Sequence, residues 1–300
     1  MRLKPYFQLV RLPNVFTAAA DSLSGWLLVG GLLVDAGSWL PLVVASMAIY
    51  AAGIALNDVF DLELDRAERP GRPLPAGKVS GAFAVGMAVA LLVLGLASAG
   101  VAGARSAMVA GALIACVVSY DAGVRRTVFG PELMGLCRGL NVLLGMSLAP
   151  DFGGPAAWAV AAAMTVFIVG VTWISRFETE VGRRAAPAAG MILQVTGMIA
   201  LFGAGLSAGA FPSPWPDRPA FPVLGVVILA VVSSRILWAS ARAVSDPRPE
   251  TLQKAVKTGV LSLIWLHVGV VACVREPTSA LAVAALWIPA SLAARWIYST

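Results

Sequence analysis

What most constrains this chain is a recurring apolar block, each copy about as long as a bilayer is thick. Crossing a ~30 Å hydrocarbon core takes roughly 20 consecutive apolar residues in a helix. Such blocks fall near 14–34, 38–56, 81–101, 106–120, 132–149, 156–175, 188–209, 221–241, 252–274 and 278–297. Backbone groups inside lipid find no water, so each block must be a helix that satisfies its own N–H and C=O groups. The expected fold class is all-α, a multispanning transmembrane helical bundle around a central cavity. It has nine spans, or ten if 278–297 crosses separately, in a single domain over residues 1–300.

Charge agrees with that reading. Only 13% of residues are charged and 59% are hydrophobic, whereas a soluble domain carries about a quarter charged residues. The loops alternate in character. One set holds Arg2, Lys4, Arg11, Arg66, Arg69, Arg72, Lys78, Arg125, Arg126, Arg176, Arg183, Arg184, Arg242, Arg248, Lys254 and Lys257; the other holds Arg105, Arg218 and Arg275. The positive-inside rule places the N-terminus and the basic loops in the cytoplasm, as expected for a multi-pass protein of the cell inner membrane. The net charge of +6 follows from this bias. No basic, aromatic-interleaved patch stands apart from the spans, so a nucleic-acid partner is not expected and the lipid bilayer is.

Ala18–Ala20 resembles a cleavage site, but Arg11, Pro13 and Asn14 interrupt the stretch before it, so no signal peptide is expected. Residues 1–12 read as a basic interfacial segment, and 211–220, with four prolines, as a stiff connector on the opposite side. Cys116, Cys137 and Cys273 read as small buried hydrophobes, and His267 as a packing residue rather than a catalyst.

The chemistry concentrates at the end of the second block, in Asn57-Asp58-Val59-Phe60-Asp61-Leu62-Glu63-Leu64-Asp65. Asp58, Asp61 and Asp65 are spaced i, i+3, i+7, which puts them on one helix face with Asn57 beside them. Carboxylates this close repel, and a hard cation removes the conflict. Mg²⁺ is typically held by one or two carboxylates plus substrate phosphates. The following loop, Arg69-Pro70-Gly71-Arg72-Pro73-Leu74-Pro75-Ala76-Gly77-Lys78, has the prolines and glycines of a fixed turn. Arg72 suits bidentate phosphate contact, and Lys78 reads equally as phosphate ligand or topology determinant. Arg138 and Asn141 share a face of the fifth block. A buried arginine costs about 2.5–3.5 kcal/mol on insertion scales, so this face is expected to meet a polar cavity. Asn14 and Asp21 point the same way, with an ion pair to a neighbouring arginine as the alternative for Asp21.

The run Asn57–Asp65 followed by Arg72-Pro-Leu-Pro-Ala-Gly77 resembles the first aspartate-rich motif of the UbiA superfamily of intramembrane prenyltransferases. The resemblance implies an all-helical enzyme, usually of nine spans, that binds a prenyl diphosphate through Mg²⁺ between two acidic motifs. It also implies transfer of the prenyl group to a small-molecule acceptor, in many members an aromatic one. On that pattern Asp58, Asp61 and Asp65 would be metal-binding and catalytic, and Asn57 would bind substrate. The second motif would be Ser175-Arg176-Phe177-Glu178-Thr179-Glu180, which departs from the usual aspartate pair. Glu178 and Glu180 would be metal ligands and Arg176 a phosphate ligand. Tyr120-Asp121-Ala-Gly-Val-Arg125-Arg126 resembles the family's tyrosine-to-lysine loop, which assigns Tyr120, Arg125 and Arg126 to the diphosphate; Arg138 would help neutralise the leaving group. The segment Gly130–Gly145 together with Ser175-Arg-Phe-Glu is similar to the EboC-like branch. Two rivals share these motifs: transfer of another group such as a phosphoribosyl unit, and a transporter that kept the fold without the chemistry.

Overall fold

A computed structural model describes residues 3–176, 184–211 and 222–298. Among them every regular element is helical. A short α1 (Lys4–Leu9) leads into α2 (Leu12–Leu28) and α3 (Ala36–Phe60); α4 (Leu62–Glu68) continues the acidic run. Then come α5 (Gly81–Ala102), α6 (Ala104–Ala122), α7 (Gly130–Met146), α8 (Pro155–Ser175) and α9 (Ala185–Leu206). The chain closes with α10 (Pro222–Ser245), α11 (Pro249–Val274), α12 (Pro277–Ala285) and α13 (Trp287–Tyr298).

Among the described residues, eight stretches are long and apolar enough to cross a membrane, with α12 and α13 counted as one continuous stretch. Helices α2 and α7 have 17 residues each, about 25 Å at the helical rise, and run inside the same bundle. The expected nine or ten spans are thus an approximate count of an architecture that holds. The last block bends at Leu286, whose N–H reaches back only three residues to the Val283 carbonyl.

Two glycine contacts set the packing. A Cβ on Gly145 of α7 would stand 1.9 Å from the Ser22 carbonyl of α2, and one on Gly25 would stand 2.3 Å from the Val142 carbonyl. In lipid, where apolar surface supplies little drive between helices, small residues let backbones touch and gain dispersion contacts. Gly170 of α8 and Gly190 of α9 do the same, each blocked by the other's carbonyl at 2.5 Å. Around these contacts Phe167, Met164, Leu27 and Leu201 are fully enclosed. The close approach of α2 and α7 also lets α7 place a long side chain against α2.

Helix direction then fixes where the chemistry sits. The chain passes back and forth, so α3, α6, α8 and α10 end where α5, α7, α9 and α11 begin. The aspartate run lies at this end. Helix α3 extends past the expected limit to Phe60, breaks at Asp61 and resumes as α4, so the acidic run straddles a joint. The loop beyond it is pinned by buried Leu74 and Val79, which pack with Leu9, Ala52, Ala55, Ala84 and Ala88. Gly77 supplies its left-handed residue at φ +67°, a conformation open to glycine without a Cβ clash. The proline-rich loop is the fixed turn its composition predicts.

Candidate functional site

A cavity of about 210 Å³ opens between α3, α6 and α7. Its wall is apolar at Ile49, Leu113, Val117 and Met134, and polar at Arg11, Tyr50, Asn57, Tyr120, Asp121, Arg138 and Asn141. Two groups of charges bear on it, one at its mouth and one at its inner end.

At the mouth, the aspartates of the acidic run are interleaved with arginines. Arg72 Nη1 lies 2.6 Å from Asp65 Oδ2 and 3.4 Å from Asp58 Oδ1, so one guanidinium bridges both carboxylates. Arg11 Nη2 adds a contact of 3.1 Å to the same Asp58 oxygen. Asp61 does not join them: both its oxygens take the guanidinium of Arg125, with Arg126 at 4.0 Å. Asp58 and Asp65 share a stripe, as their spacing predicts, while Asp61 sits at the joint and faces α6. Arg125 reaches it from a 3-10 turn (Val124–Arg126) that begins after Gly123, whose φ of +149° turns the chain out of α6. Asn57 donates from Nδ2 to Asp121 Oδ1 at 3.2 Å.

The inner group is closed. Arg138 donates to Asp21 Oδ2 through Nη1 and to Thr17 Oγ1 at 3.0 Å through Nη2. Asn141 Nδ2 adds 3.0 Å to the same Asp21 oxygen, and His267 Nε2 of α11 lies 2.8 Å from the other. On its remaining face the Arg138 guanidinium stands 4.8 Å from the Tyr50 ring centroid.

Several expectations change here. Asp21 does not line the cavity; it is fully buried behind Arg138, the ion-pair alternative, because a charge on α2 and one on α7 neutralise each other at the glycine contact. Asn14 stays outside the wall, its backbone carbonyl accepting from Thr17 Oγ1 at 2.6 Å. Lys78 stands exposed on its loop, apart from the side chains that meet the aspartates. Arg176 reaches the Val128 carbonyl at 3.4 Å and lies over the Trp173 ring. Glu178 and Glu180 lie outside the described residues. His267 does more than pack, since it holds one oxygen of Asp21.

Sequence reasoning passed over three site residues. Arg11 looked like one more topology charge, but its left-handed backbone (φ 46°, ψ 54°) swings it over Asp58. Asp121 stood in a quoted motif without a role, although a carboxylate at the end of an apolar span is itself a signal. Tyr50 lies seven residues before Asn57, two helical turns up the same face.

The donor set suits a hard cation: Asp58, Asp61, Asp65, Asp121 and Asn57 offer only oxygen, the atom Mg²⁺ takes. As placed, the aspartates are held apart by arginines, and no group of three acidic, histidine or cysteine side chains converges as a metal site among the described residues. A metal–diphosphate ligand would have to exchange partners with these pairs, carboxylates passing to the metal and arginines to phosphate. The residues fit Mg²⁺ in kind, through that exchange.

Known proteins supply the frame for this geometry. A digeranylgeranylglyceryl phosphate synthase of Methanoculleus marisnigri is 28% identical over 277 residues, covering 87% of this chain and 94% of its own. The synthase of Saccharolobus solfataricus is 30% identical over 146 residues, and there the match spans about half of each chain (48% and 52%). Among solved structures, the apo UbiA homolog from Aeropyrum pernix K1 superposes with a TM-score of 0.68 at 17% identity, over 85% of this chain and 96% of that one. The UbiA homolog from Archaeoglobus fulgidus bound to GPP and Mg²⁺ gives 0.59 at 15% identity, over 89% and 99%. At such identities the likeness is one of fold. The model of the UbiA prenyltransferase family matches residues 18–257, a match to the family as a whole and to no particular branch. This chain belongs to the UbiA prenyltransferase family.

Proposed function

We propose that this protein transfers a prenyl group from a Mg²⁺-bound prenyl diphosphate to a small-molecule acceptor, inside the cavity bounded by α3, α6 and α7 and facing the cytoplasm. The observation that carries the reading is the belt of aspartates and arginines set at the mouth of a largely apolar cavity. Relatives named for prenyl transfer, and a homolog bound to GPP and Mg²⁺, support it.

In this reading Asp58, Asp61 and Asp65 hold the metal, with Glu178 and Glu180 offering further carboxylates. Bound Mg²⁺ supplies Lewis acidity to the diphosphate oxygens. Arg72 and Arg125, released from their aspartates, take the phosphate oxygens, with Arg11 and Arg126 at the rim. As the allylic C–O bond breaks, its electron pair leaves with the diphosphate, and these arginines stabilise the charge that develops there. Ile49, Leu113 and Val117 line the tail's path and keep water from the carbon centre. The acceptor's nucleophile closes the new bond and sheds a proton to Asp121, whose carboxylate accepts from the amide of Asn57. Tyr50 and Arg138 form the inner wall against which the acceptor stops.

The test is binding of geranylgeranyl diphosphate to purified protein with and without Mg²⁺, for wild type and Asp61→Ala, with shorter and longer chains in parallel. Mg²⁺-dependent binding that Asp61→Ala abolishes supports a diphosphate site, and acceptor screening then follows with aromatic acids and geranylgeranylglyceryl phosphate. Failure of wild type to bind any chain length rejects prenyl transfer and leaves transport by a kept fold.

A further inference from the structure

A second concave site lies away from the cavity, between α10 and α11. It encloses about 510 Å³ and is lined by Ser234, Arg235, Trp238, Ala239, Lys254 and Thr258. Arg235 is exposed on α10 ten residues before Ser245, about 15 Å along the helix axis from its end. An ionisable side chain this far along a span is costly and needs a polar partner, and Arg235 lines the groove rather than pairing inside the bundle. Trp238, 53% exposed, and Arg242 follow at one-turn intervals toward the end that carries the aspartates, on the same face as Arg235. The Arg242 guanidinium lies 4.0 Å and the Lys254 ammonium 5.9 Å from the Trp238 ring centroid. Among the described residues the groove wall contains no carboxylate. By contrast, the arginines at the cavity mouth and Arg138 all face aspartates.

We propose that the groove between α10 and α11 binds the anionic headgroup of a glycerophospholipid from the leaflet at the aspartate end. Arg235 and Lys254 would hold the phosphate from two helices, Arg242 would close the groove above it, and Trp238 would pack the glycerol region. Two features select a lipid over a free anion. The cations sit on the outer, exposed face of the bundle, and below Arg235 the surface of α10 is apolar, with Val231, Val227 and Leu224 exposed, a track for an acyl chain. Basic residues near a membrane surface attract anionic lipid by electrostatics, and an arginine's aliphatic stem lets its head rise toward the phosphate level.

The experiment is native mass spectrometry of the detergent-purified full chain equilibrated with equimolar phosphatidylglycerol and phosphatidylcholine. Wild type is expected to retain phosphatidylglycerol preferentially. Arg235→Leu and Lys254→Gln should each cut that preference about fivefold, and Arg235→Lys should keep most of it. No preference in wild type overturns the proposal without reference to any variant, which covers the case of a variant that fails to fold. An unchanged preference in both charge-removing variants overturns it too. Displacement of the lipid by millimolar inorganic phosphate would overturn the lipid assignment in favour of a free-anion site. Geranylgeranyl diphosphate binding should be unaffected by either variant, so loss of that activity tests a different claim.

Discussion

Two clusters of aspartate and arginine lie one above the other in this bundle, built from the same chemistry and set to different tasks. In the inner one, Asp21 is fully enclosed and Arg138 is 7% exposed at its side chain. Every bond joins helices fixed by packing, α2 to α7 and α2 to α11. In the outer one Asp58 and Asp65 are also buried, at 5% and 2% of their side chains, but Arg72 and Arg11 are 24% and 34% exposed, and the arginines come from loops and a helix joint. With one member of each pair open to water, breaking it leaves an arginine that solvent can take up, so the outer partners exchange more readily than the inner ones when a ligand brings its own charges. A buried pair does not exchange, because removing one member strands the other in a medium that cannot solvate it. The same residue types thus act as a clasp or as a ligand-ready site, according to what surrounds them.

The largest effect should come from breaking the clasp. Asp21→Ala leaves Arg138 uncompensated and His267 Nε2 without its acceptor, while Asn141 keeps only the Ala18 carbonyl, and the expected loss is about 3–5 kcal/mol of folding stability. Unfolding by denaturant in bicelles reads it. The same measurement on Asp58→Ala should show a change under about 1 kcal/mol, because Arg72 keeps Asp65. Equal destabilisation by the two variants would erase the distinction between the clusters.

Activity should show the reverse order. Arg125→Ala removes the bidentate partner of Asp61 and, in the proposed reaction, a phosphate contact. Turnover should fall about 10²–10³-fold, the usual effect of deleting one group that stabilises developing charge; with Arg125 and Asp61 only 11% and 15% exposed at their side chains, the thermal midpoint should fall as well, but by less than for Asp21→Ala. Intact prenyl transfer in this variant would remove the outer cluster from the chemistry. Asp121→Asn sharpens the point: Mg²⁺-dependent diphosphate binding should survive while turnover drops, since its proposed part begins after the C–O bond breaks. Parallel loss of both would reassign Asp121 to diphosphate binding.

How far the two clusters could be foreseen differs for a physical reason. The bundle is legible because lipid leaves a chain of this hydropathy no other option; most spans drawn from the apolar blocks agree with the helices within a few residues, while the first, expected to run to 34, ends at Leu28. The aspartates are legible because their spacing is local: i, i+3 and i+7 fix a stripe whatever the rest of the chain does. Their partners are not local. Arg125 meets Asp61 from 64 residues away, and nothing in spacing separates it from Arg126, which points outward. Arg11 reads as a topology charge until the turn after α1 aims it. For the inner cluster, the cost of burying Arg138 announced that something must answer it. That the answer is Asp21 follows from Gly25 and Gly145 bringing α2 and α7 together, a tertiary fact. The break of α3 at Asp61 is equally invisible, since Asp61 accepts and donates backbone bonds on both sides of the joint.

The smallest effect we expect is also the sharpest test of the outer cluster. Arg11 occupies a left-handed backbone conformation, which costs a non-glycine residue about 1–2 kcal/mol. That strain persists next to one half-exposed ion pair with Asp58, worth no more than the strain itself. Were Arg11 there for stability, the balance would be poor. Arg11→Gly removes the strain and the ion pair together, so the protein should unfold at the same or a slightly higher denaturant concentration. If Arg11 serves the diphosphate, turnover should nonetheless fall several-fold, and Arg11→Lys, which keeps the charge and the strain, should recover part of it. A protein that loses stability with Arg11→Gly yet keeps full turnover would move Arg11 from the mouth of the site to the structural side of the comparison.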